Sequence, residues 1–250
     1  MGRHVEMDSL YIVMPAYNEE ETIQAVVDDW YGILTSFGNT ASRLVVVNDG
    51  SRDNTGQILE NMMVDHPLLV PLTIPNGGHG AAILYGYRYA LEHRADYIFQ
   101  TDSDGQTLPS EFKDFWHIRS EQDMVIGWRR HREDGFSRIL VTKVLHLCIC
   151  CCFHVLVPDA NTPFRLMQAD TLRQYIGLVP DGYNLTNVLI AVIFAKKNCR
   201  VKYLPITFRP RQGGKNSINL HRIFWIGKQA IGDFLRINRR IEIFQIKSSP

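Results

Sequence analysis

The sequence predicts an α/β fold with a single, mostly parallel sheet flanked by helices. Short β-rich runs recur along the chain with helical stretches between them, which is the pattern of βαβ units. The 250 residues, 45% of them apolar, are enough for one full core. We find no repeat or Pro-rich linker that would divide the chain. The runs predicted as strands are Leu10–Met14, Arg43–Val47, Val70–Ile74, Tyr97–Thr101 and Met124–Ile126.

Polar or glycine-rich residues follow each of the first four predicted strands. Ligands of open α/β sheets bind outside the carboxyl ends of the strands, so we expect these loops to form one site. The third loop opens a helix but lacks the G-x-G-x-x-G and GK[ST] patterns, which argues against dinucleotide and P-loop sites. The four loops are Pro15–Glu21, Asn48–Asp53, Asn76–Ala82 and Asp102–Gln106.

Two carboxylates, Asp102 and Asp104, follow the fourth predicted strand with one residue between them. Such a pair can address a hard divalent cation, Mg²⁺ or Mn²⁺, which takes oxygen ligands and bridges the oxygens of a diphosphate. This predicts a metal site at Asp102 and Asp104. In the preceding loop, small residues around Asn76 and Gly78 let the backbone approach a ligand closely. His79 is a candidate for contact with a diphosphate or, equally, a structural cap of its helix.

Basic and acidic side chains in the second half of the chain are further candidates for the site. Arginine clusters bind phosphate bidentately, although a solvated surface is the alternative interpretation. The segment Asp159–Arg165 places a carboxylate and a guanidinium close together after an apolar helix. A flexible basic loop near Lys215 is suited to act as a lid over an anionic donor. The basic candidates are Arg129, Arg138, Arg165, Arg211 and Lys215.

The C-terminal part of the chain is basic and amphipathic. From Lys196 onward there are 13 Lys and Arg against two acidic residues, a local charge of +11 on a chain whose total is +1. We therefore predict a main domain, 1–217, followed by a basic amphipathic helix, 218–250. Apolar residues of Ile218–Ile243 lie among arginines, so this helix either lies in a lipid interface or packs on the domain. The near-neutral total charge gives no support to nucleic-acid binding.

Two features of the sequence bear on where the protein lies in the cell and whether it crosses a membrane. Met1–Ser9 is polar and no secretory signal opens the chain, so we expect a cytosolic protein. The apolar run Val144–Val157 is shorter than the roughly 20 residues needed to cross a bilayer and is predicted as a core or interfacial helix. Its four cysteines are predicted as small buried hydrophobes, with thioacylation near a membrane as the alternative. They are Cys148, Cys150, Cys151 and Cys152.

Taken together, five segments resemble the family 2 glycosyltransferases in their order and spacing, over residues 10 to about 217. Within that family the resemblance is to the branch of dolichol-phosphate mannosyltransferases and polyprenyl-phosphate hexosyltransferases. It implies a GT-A fold for 1–217, a nucleotide-sugar donor and a divalent metal. The segments are Val13–Glu20, Val45–Ser51, Asn76–Ala82, Asp102–Asp104 and Asp159–Arg165.

The resemblance also implies roles for individual residues. One group, near the first two strands, would hold the nucleoside, whereas Asp102 and Asp104 would serve the sugar and the metal. Arg129 and Arg138 match a pattern that contacts acceptor and donor phosphates. Arg165 matches the basic residue of a Phe-Arg-Leu motif and is predicted as a catalytic residue together with Asp102, Asp104 and Asp159. Arg211 with Lys215 matches a basic loop. The nucleoside group is Pro15, Tyr17, Asn18, Glu19 and Asp49.

These observations predict an inverting enzyme that moves a hexose from a UDP- or GDP-sugar to a polyprenyl- or dolichyl-type lipid phosphate. A lipid phosphate is already ionised near neutral pH and needs no general base, whereas a sugar hydroxyl does. The alternative is therefore a transferase that extends a polysaccharide or glycolipid with Asp159 as base. A second alternative is a non-catalytic nucleotide-binding or membrane-scaffold protein. We expect a peripheral protein on the inner face of a membrane, with a transmembrane partner protein as one option.

Overall fold

The structure, a computed structural model, describes residues 8–129, 136–209 and 232–243, and only the backbone of 136–143. The described strands form one seven-stranded sheet in the order β3-β2-β1-β4-β6-β5-β7. β6 runs antiparallel to both of its neighbours, and the other pairs are parallel. The strands are β1 Leu10–Ala16, β2 Arg43–Asn48, β3 Leu69–Thr73, β4 Tyr97–Gln100, β5 Met124–Arg129, β6 Arg165–Gln168 and β7 Val201–Ile206.

Helices cover both faces of this sheet, and short 3₁₀ turns precede α4 and follow α6. The predicted α/β fold with a mostly parallel sheet is thereby confirmed. All five predicted strands are present, with ends that shift by one to three residues. The helices are α1 Ile23–Phe37, α2 Thr55–Met62, α3 His79–Glu92, α4 Phe112–His117, α5 Phe136–Phe153, α6 Ala169–Tyr175 and α7 Thr186–Lys196, followed by α8 over 232–243.

The core lies on the two faces of the sheet. On one face, Trp30 of α1 packs against Phe99, Phe112 and Phe164, with ring centroids 5.2 to 6.4 Å apart. On the other face, α3 and α7 lie over the central strands, and α7 is buried on every side from Thr186 to Phe194. A helix that is apolar all round belongs inside a domain. These two layers fix the strand ends from which the site is built.

The predicted C-terminal helix is described only over 232–243. Phe234, Ile237 and Ile241 recur at helical spacing and are buried in the domain core. The Phe153 and Phe234 rings lie 5.1 Å apart, and Lys196 donates a hydrogen bond to Asn238 at 2.5 Å. This part of the helix packs on the domain, which was one of the two predicted alternatives. The predicted boundary between 217 and 218 lies outside the described residues and stays a prediction.

Candidate active site

A cleft of about 430 Å³ opens at the carboxyl ends of β1, β2 and β4 and at the start of α3. This volume falls in the range of small-molecule sites in proteins. The loops that follow the first four predicted strands all contribute to it, as predicted from the sequence. The residues that line the cleft are Pro15, Ala16, Tyr17, Glu19, Asp49, Asn76, Gly78, His79, Ala82, Asp102, Ser103 and Asp104.

Asp49 joins three elements at the floor of the cleft. Its backbone amide donates to the Ala16 carbonyl at 2.9 Å, which ties the end of β2 to the end of β1. Its carboxylate accepts from the amides of Gly77, at 2.7 Å, and Gly78, at 2.9 Å. The Asn76 side-chain amide donates to the Asp49 carbonyl at 2.8 Å. Because Asp49 is only 3% exposed, most of its hydrogen-bonding capacity shapes the loop before α3.

Two glycines allow that loop to pass close to other parts of the chain. Gly78 has φ +87°, a conformation that side-chain-bearing residues rarely adopt. A Cβ atom at Gly80 would clash with the carbonyl oxygen of Tyr183, because the turn before α7 lies directly on the first turn of α3. Thr186 fixes this contact by donating to the Gly80 carbonyl at 2.9 Å. The first turn of α3 is therefore held between the cleft and α7.

The first two loops of the site are cross-linked by side chains. Asn18 has φ +54° and its side-chain oxygen accepts from the Arg52 amide at 2.8 Å. The Asp53 carboxylate accepts from the Thr55 hydroxyl at 2.6 Å and from the Glu20 amide at 3.2 Å. Partial burial raises the pKa of Asp53, but these hydrogen bonds outweigh burial and hold the pKa below its ordinary value. Asn18 thus braces the rim of the cleft, next to its lining residues.

Asp102 and Asp104 fit a divalent metal by their chemistry and their surroundings. Asp102 Oδ1 is a buried oxygen with no hydrogen-bond partner among the described residues, and His79 Nε2 lies 3.7 Å from it. Asp104 Oδ1 accepts from the Gln106 amide at 3.2 Å. No group of three or more His, Cys, Asp or Glu in the described residues is arranged to hold a metal. Mg²⁺ is usually bound by one or two protein carboxylates, while substrate phosphate oxygens and water fill its other coordination positions.

Arg129, at the end of β5, forms a buried ion pair with Asp159. Arg129 Nε and Nη2 donate to the two carboxylate oxygens at 2.8 and 2.7 Å, and the two side chains are 10% and 8% exposed. The guanidinium also lies over the Phe208 ring, 5.0 Å from its centroid. Both oxygens of Asp159 are therefore engaged by one arginine. This geometry gives little support to Asp159 as a general base.

Arg165, at the start of β6, is fully buried and lies outside the cleft lining. Its guanidinium donates to the backbone carbonyls of Ala160, Thr162 and Asn187 at 2.6 to 3.0 Å. Burial lowers its pKa from the ordinary value, with partial compensation from the nearby Tyr87 hydroxyl. The side chain thus joins the loop before β6 to the start of α7. Its predicted catalytic role stays a prediction, and the geometry favours a positioning role.

Other predicted residues lie beyond the described part of the chain. Arg211 and Lys215 are not described, nor is the side chain of Arg138. Arg209, the first residue of the predicted basic loop, is anchored beside the metal candidates, since its amide donates to the Gln106 carbonyl at 2.8 Å. The cleft lining also contains Ser103, Ala16 and Ala82, which were not predicted from the sequence. Their positions within or beside the predicted motifs are the signal that would have included them.

A model of "Glycosyl transferase family 2" matches residues 11–168. The chain belongs to this family. The matched range contains β2 to β6, all of β1 except Leu10, and every described residue of the cleft lining. The family resemblance stated from the sequence motifs is confirmed.

Curated relatives place this family 2 chain beside enzymes named for polyprenyl-phosphate acceptors. It is 34% identical over 162 residues to dolichyl-phosphate beta-glucosyltransferase ALG5C of Trichomonas vaginalis, covering 60% of the chain and 46% of that relative. ALG5A of the same organism is 33% identical over 84% of the chain and 68% of the relative. An undecaprenyl-phosphate 4-deoxy-4-formamido-L-arabinose transferase of Shewanella sediminis is 31% identical, over 58% and 44%. The chain thus spans about half the length of two of these three relatives.

Solved structures agree on the fold. A glucosyl-3-phosphoglycerate synthase from Mycobacterium tuberculosis, in complex with Mn²⁺, UDP-glucose and phosphoglyceric acid, superposes with a TM-score of 0.68 at 16% identity, covering 92% of this chain and 80% of that one. TarS of S. aureus, in complex with UDP-GlcNAc, gives 0.62 at 17% identity, over 93% and 70%. The predicted GT-A fold of the family 2 chain is thereby confirmed.

Proposed function

We propose that this protein is an inverting glycosyltransferase that moves a hexose from a UDP- or GDP-sugar to a polyprenyl- or dolichyl-type lipid phosphate. The observation that carries the proposal is the cleft that brings Asp102 and Asp104 beside the loop held by Asp49, in a chain of family 2. The names of the curated relatives support a lipid-phosphate acceptor. The donor nucleotide and the sugar are left to the experiment below.

The cleft supports the donor half of this function. Tyr17, 42% exposed at the rim, offers a ring to the nucleoside, with Pro15 and Glu19 beside it. Gly78 and the start of α3 present backbone to the diphosphate, since helix N-termini favour anions. A divalent ion, Mg²⁺ or Mn²⁺, held by Asp102 and Asp104 would stabilise the negative charge of the departing nucleoside diphosphate.

The acceptor half rests on the arginine at the end of β5. Among the described residues, Asp159 occupies Nε and Nη2 of Arg129, so the other N–H groups of the guanidinium are the ones that we propose for an anionic acceptor. A phosphate oxygen held there would attack the anomeric carbon as the bond to the diphosphate breaks, so that one C–O bond forms while another is lost. Because that oxygen carries its own negative charge, positioning and charge stabilisation suffice and no proton has to be removed.

The location of the protein follows from the acceptor. A polyprenyl chain stays in the bilayer, so the protein would work as a peripheral protein on the inner, cytoplasmic face of a membrane, alone or with a transmembrane partner. Among the described residues, no helix combines the length and the apolar character that crossing a bilayer requires. The excess of basic residues after Lys196 suits a surface of anionic lipid.

Transfer of radiolabel tests the proposal. A panel of UDP- and GDP-sugars is incubated with Mg²⁺ or Mn²⁺ and polyprenyl phosphate, and the label in the organic phase is counted. We expect one donor to give a metal-dependent product that falls by about 10²-fold or more in Asp104→Asn. Asp65→Asn, at an exposed site away from the cleft, is the matched control. Label that appears only as free sugar would refute the lipid acceptor, and no transfer or hydrolysis from any donor would favour a non-catalytic protein.

A further inference from the structure

Helix α5 exposes a line of apolar side chains. Val144, Leu147 and Cys151 recur at the spacing of one helix face and are all exposed, with Leu147 at 62%. The prediction that the four cysteines of this helix are buried is therefore wrong for Cys151 and holds fully only for Cys152. Leu156, in the irregular segment after the helix, is 78% exposed, whereas Ile149 on the opposite side of the helix is buried. We call Val144, Leu147, Cys151 and Leu156 the α5 stripe. Large apolar side chains grouped on a surface mark a contact with another apolar phase.

Helix α8 packs beside the C-terminal end of α5, where the buried rings of Phe153 and Phe234 are in contact. The apolar face of α8 is already buried against the domain, so it is not available to a membrane. Its outer side carries two more exposed apolar residues together with arginines that reach solvent. These outer residues are Leu235, Arg236, Arg239, Arg240 and Ile243. The exposed Glu242 lies beside them and pairs with Lys196 at 3.5 Å. The surface formed by α5 and α8 therefore combines exposed apolar and cationic groups.

This combination is concentrated in one region of the described structure. Five of its ten exposed large hydrophobic residues lie on α5, on the irregular segment after it, or on α8. Apolar side chains flanked by Lys or Arg are the pattern of surfaces that lie in the interface of an anionic bilayer. A two-fold contact between copies would bring the arginines of α8 near their own equivalents, which repel one another. Charge therefore favours anionic lipid over a second copy of the chain.

The position of α5 in the chain links this surface to the acceptor side of the cleft. The helix lies between Arg129, at the end of β5, and Asp159, and these two residues meet as an ion pair at 2.7 Å. We infer that the α5 stripe and the outer side of α8 form the surface with which the protein lies on an anionic bilayer. The role of this surface in presenting the acceptor rests on the proposed function. Lipid binding itself does not.

Flotation with vesicles tests the inference. The full chain is mixed with vesicles of phosphatidylcholine alone or with phosphatidylglycerol, and the floating fraction is measured at low and high salt. We expect the protein to float with phosphatidylglycerol. In the double variant Leu147→Glu, Leu156→Glu the bound fraction should fall about tenfold, because two charges would enter the apolar interface. Val64→Glu, at an 84% exposed apolar residue on the α2 side of the domain, should float like the wild type.

Two controls establish whether the loss of binding comes from this surface. Circular dichroism should give the double variant the melting temperature of the wild type, since both positions are exposed. Gel filtration tests the alternative occupant: a dimer that the double variant converts to a monomer would overturn the inference in favour of a second copy. An unchanged floating fraction in the double variant would also overturn it, because the surface would then not be the contact.

Activity measurements distinguish failure of this inference from failure of the proposed function. On a short-chain, water-soluble polyprenyl phosphate, the double variant should match the wild type. On long-chain acceptor in phosphatidylglycerol vesicles it should be about tenfold slower, in proportion to the bound fraction. Equal loss on both acceptors would overturn the surface as a docking site. If no variant transfers sugar to either acceptor, the proposed function fails while the flotation result still decides the surface.

Discussion

Replacing Asp159 by Asn separates a structural ion pair from a catalytic base. In the structure both carboxylate oxygens accept hydrogen bonds from Arg129, and both side chains are about nine-tenths buried. Asparagine keeps one acceptor but presents an N–H group to the guanidinium in place of the other. Because a hydrogen bond to a charged group contributes about 1.5–3 kcal/mol, we expect the free energy of unfolding to fall by about that amount. For a chain of this length that lowers the melting temperature by about 3–12 °C.

The kinetic consequence follows from the same contact. Without its counter-charge Arg129 is no longer held in one orientation, so the KM for the lipid phosphate should rise while the affinity for the nucleotide sugar is unchanged. A double-mutant cycle with Arg129→Gln should give a coupling of about 1–3 kcal/mol in thermal or urea unfolding. The exposed pair Arg88–Asp181, with N···O 2.5 Å and side chains 43% and 82% exposed, is the matched control. It should give about 0–1 kcal/mol.

The opposite result would refute this reasoning. If Asp159→Asn melts within about 1 °C of the wild type, the ion pair contributes less to stability than its burial and geometry require. If kcat also falls by about 10²–10⁴ with the KM for the acceptor unchanged, Asp159 acts as a general base, and a hydroxyl acceptor becomes the better proposal.

Three further predictions concern the frame of the site. Gly80→Ala should destabilise the protein by about 1–3 kcal/mol, because the new Cβ would clash with the Tyr183 carbonyl. The control Gly32→Ala places its Cβ in open space and should not destabilise the protein. Urea unfolding measures the free energy of unfolding of both variants. Arg165→Lys reaches fewer of the three backbone carbonyls and should cost about 2–4 kcal/mol, and a stable but inactive variant would instead point to substrate contact. Because the pKa of Asp53 is depressed, its carboxylate stabilises the folded state above the unfolded pKa of about 4, and this stabilisation is lost as the pH falls through the folded pKa. The difference in unfolding free energy between the wild type and Asp53→Asn should therefore shrink from pH 7 towards acid. A difference that stays constant with pH would contradict this prediction.

Much of the donor side could be predicted from the sequence because it depends on local patterns. Each loop there follows a short apolar strand, and parallel strands bring their carboxyl ends to one edge. Asp102, Asp49 and Gly78 therefore lie in one cleft, as expected. The structural role of Asp49, which is to hold the loop before α3, could not be predicted. Its hydrogen bonds go to Gly77 and Gly78, far along the chain, and no local pattern reveals a contact of that kind.

The acceptor side was harder to predict because long-range pairing decides it. β6 begins with an arginine and has only four residues, so it lacks the apolar run by which β1 to β5 were predicted. β7 was not predicted either, because Lys202 and Pro205 interrupt its apolar residues. The terminal segment Ile218–Ile243 has the composition of an interfacial helix, and composition alone does not show which face is buried. In the described part Phe234, Ile237 and Ile241 pack on the domain. The exposed apolar line lies instead on α5, whose residues are apolar nearly all round.

The reversed direction of β6 would allow one sheet to serve both of the proposed substrates. A parallel strand between β4 and β5 would bring its carboxyl end to the edge that carries the cleft. Since β6 is antiparallel, that edge receives its beginning, with Arg165 beside Gln100 of β4 and Ile126 of β5. The loop that enters β6 thus reaches the end of β5, where Asp159 meets Arg129. The buried Arg165 holds this loop by its carbonyls, so the acceptor candidates depend on a strand direction rather than on a local motif.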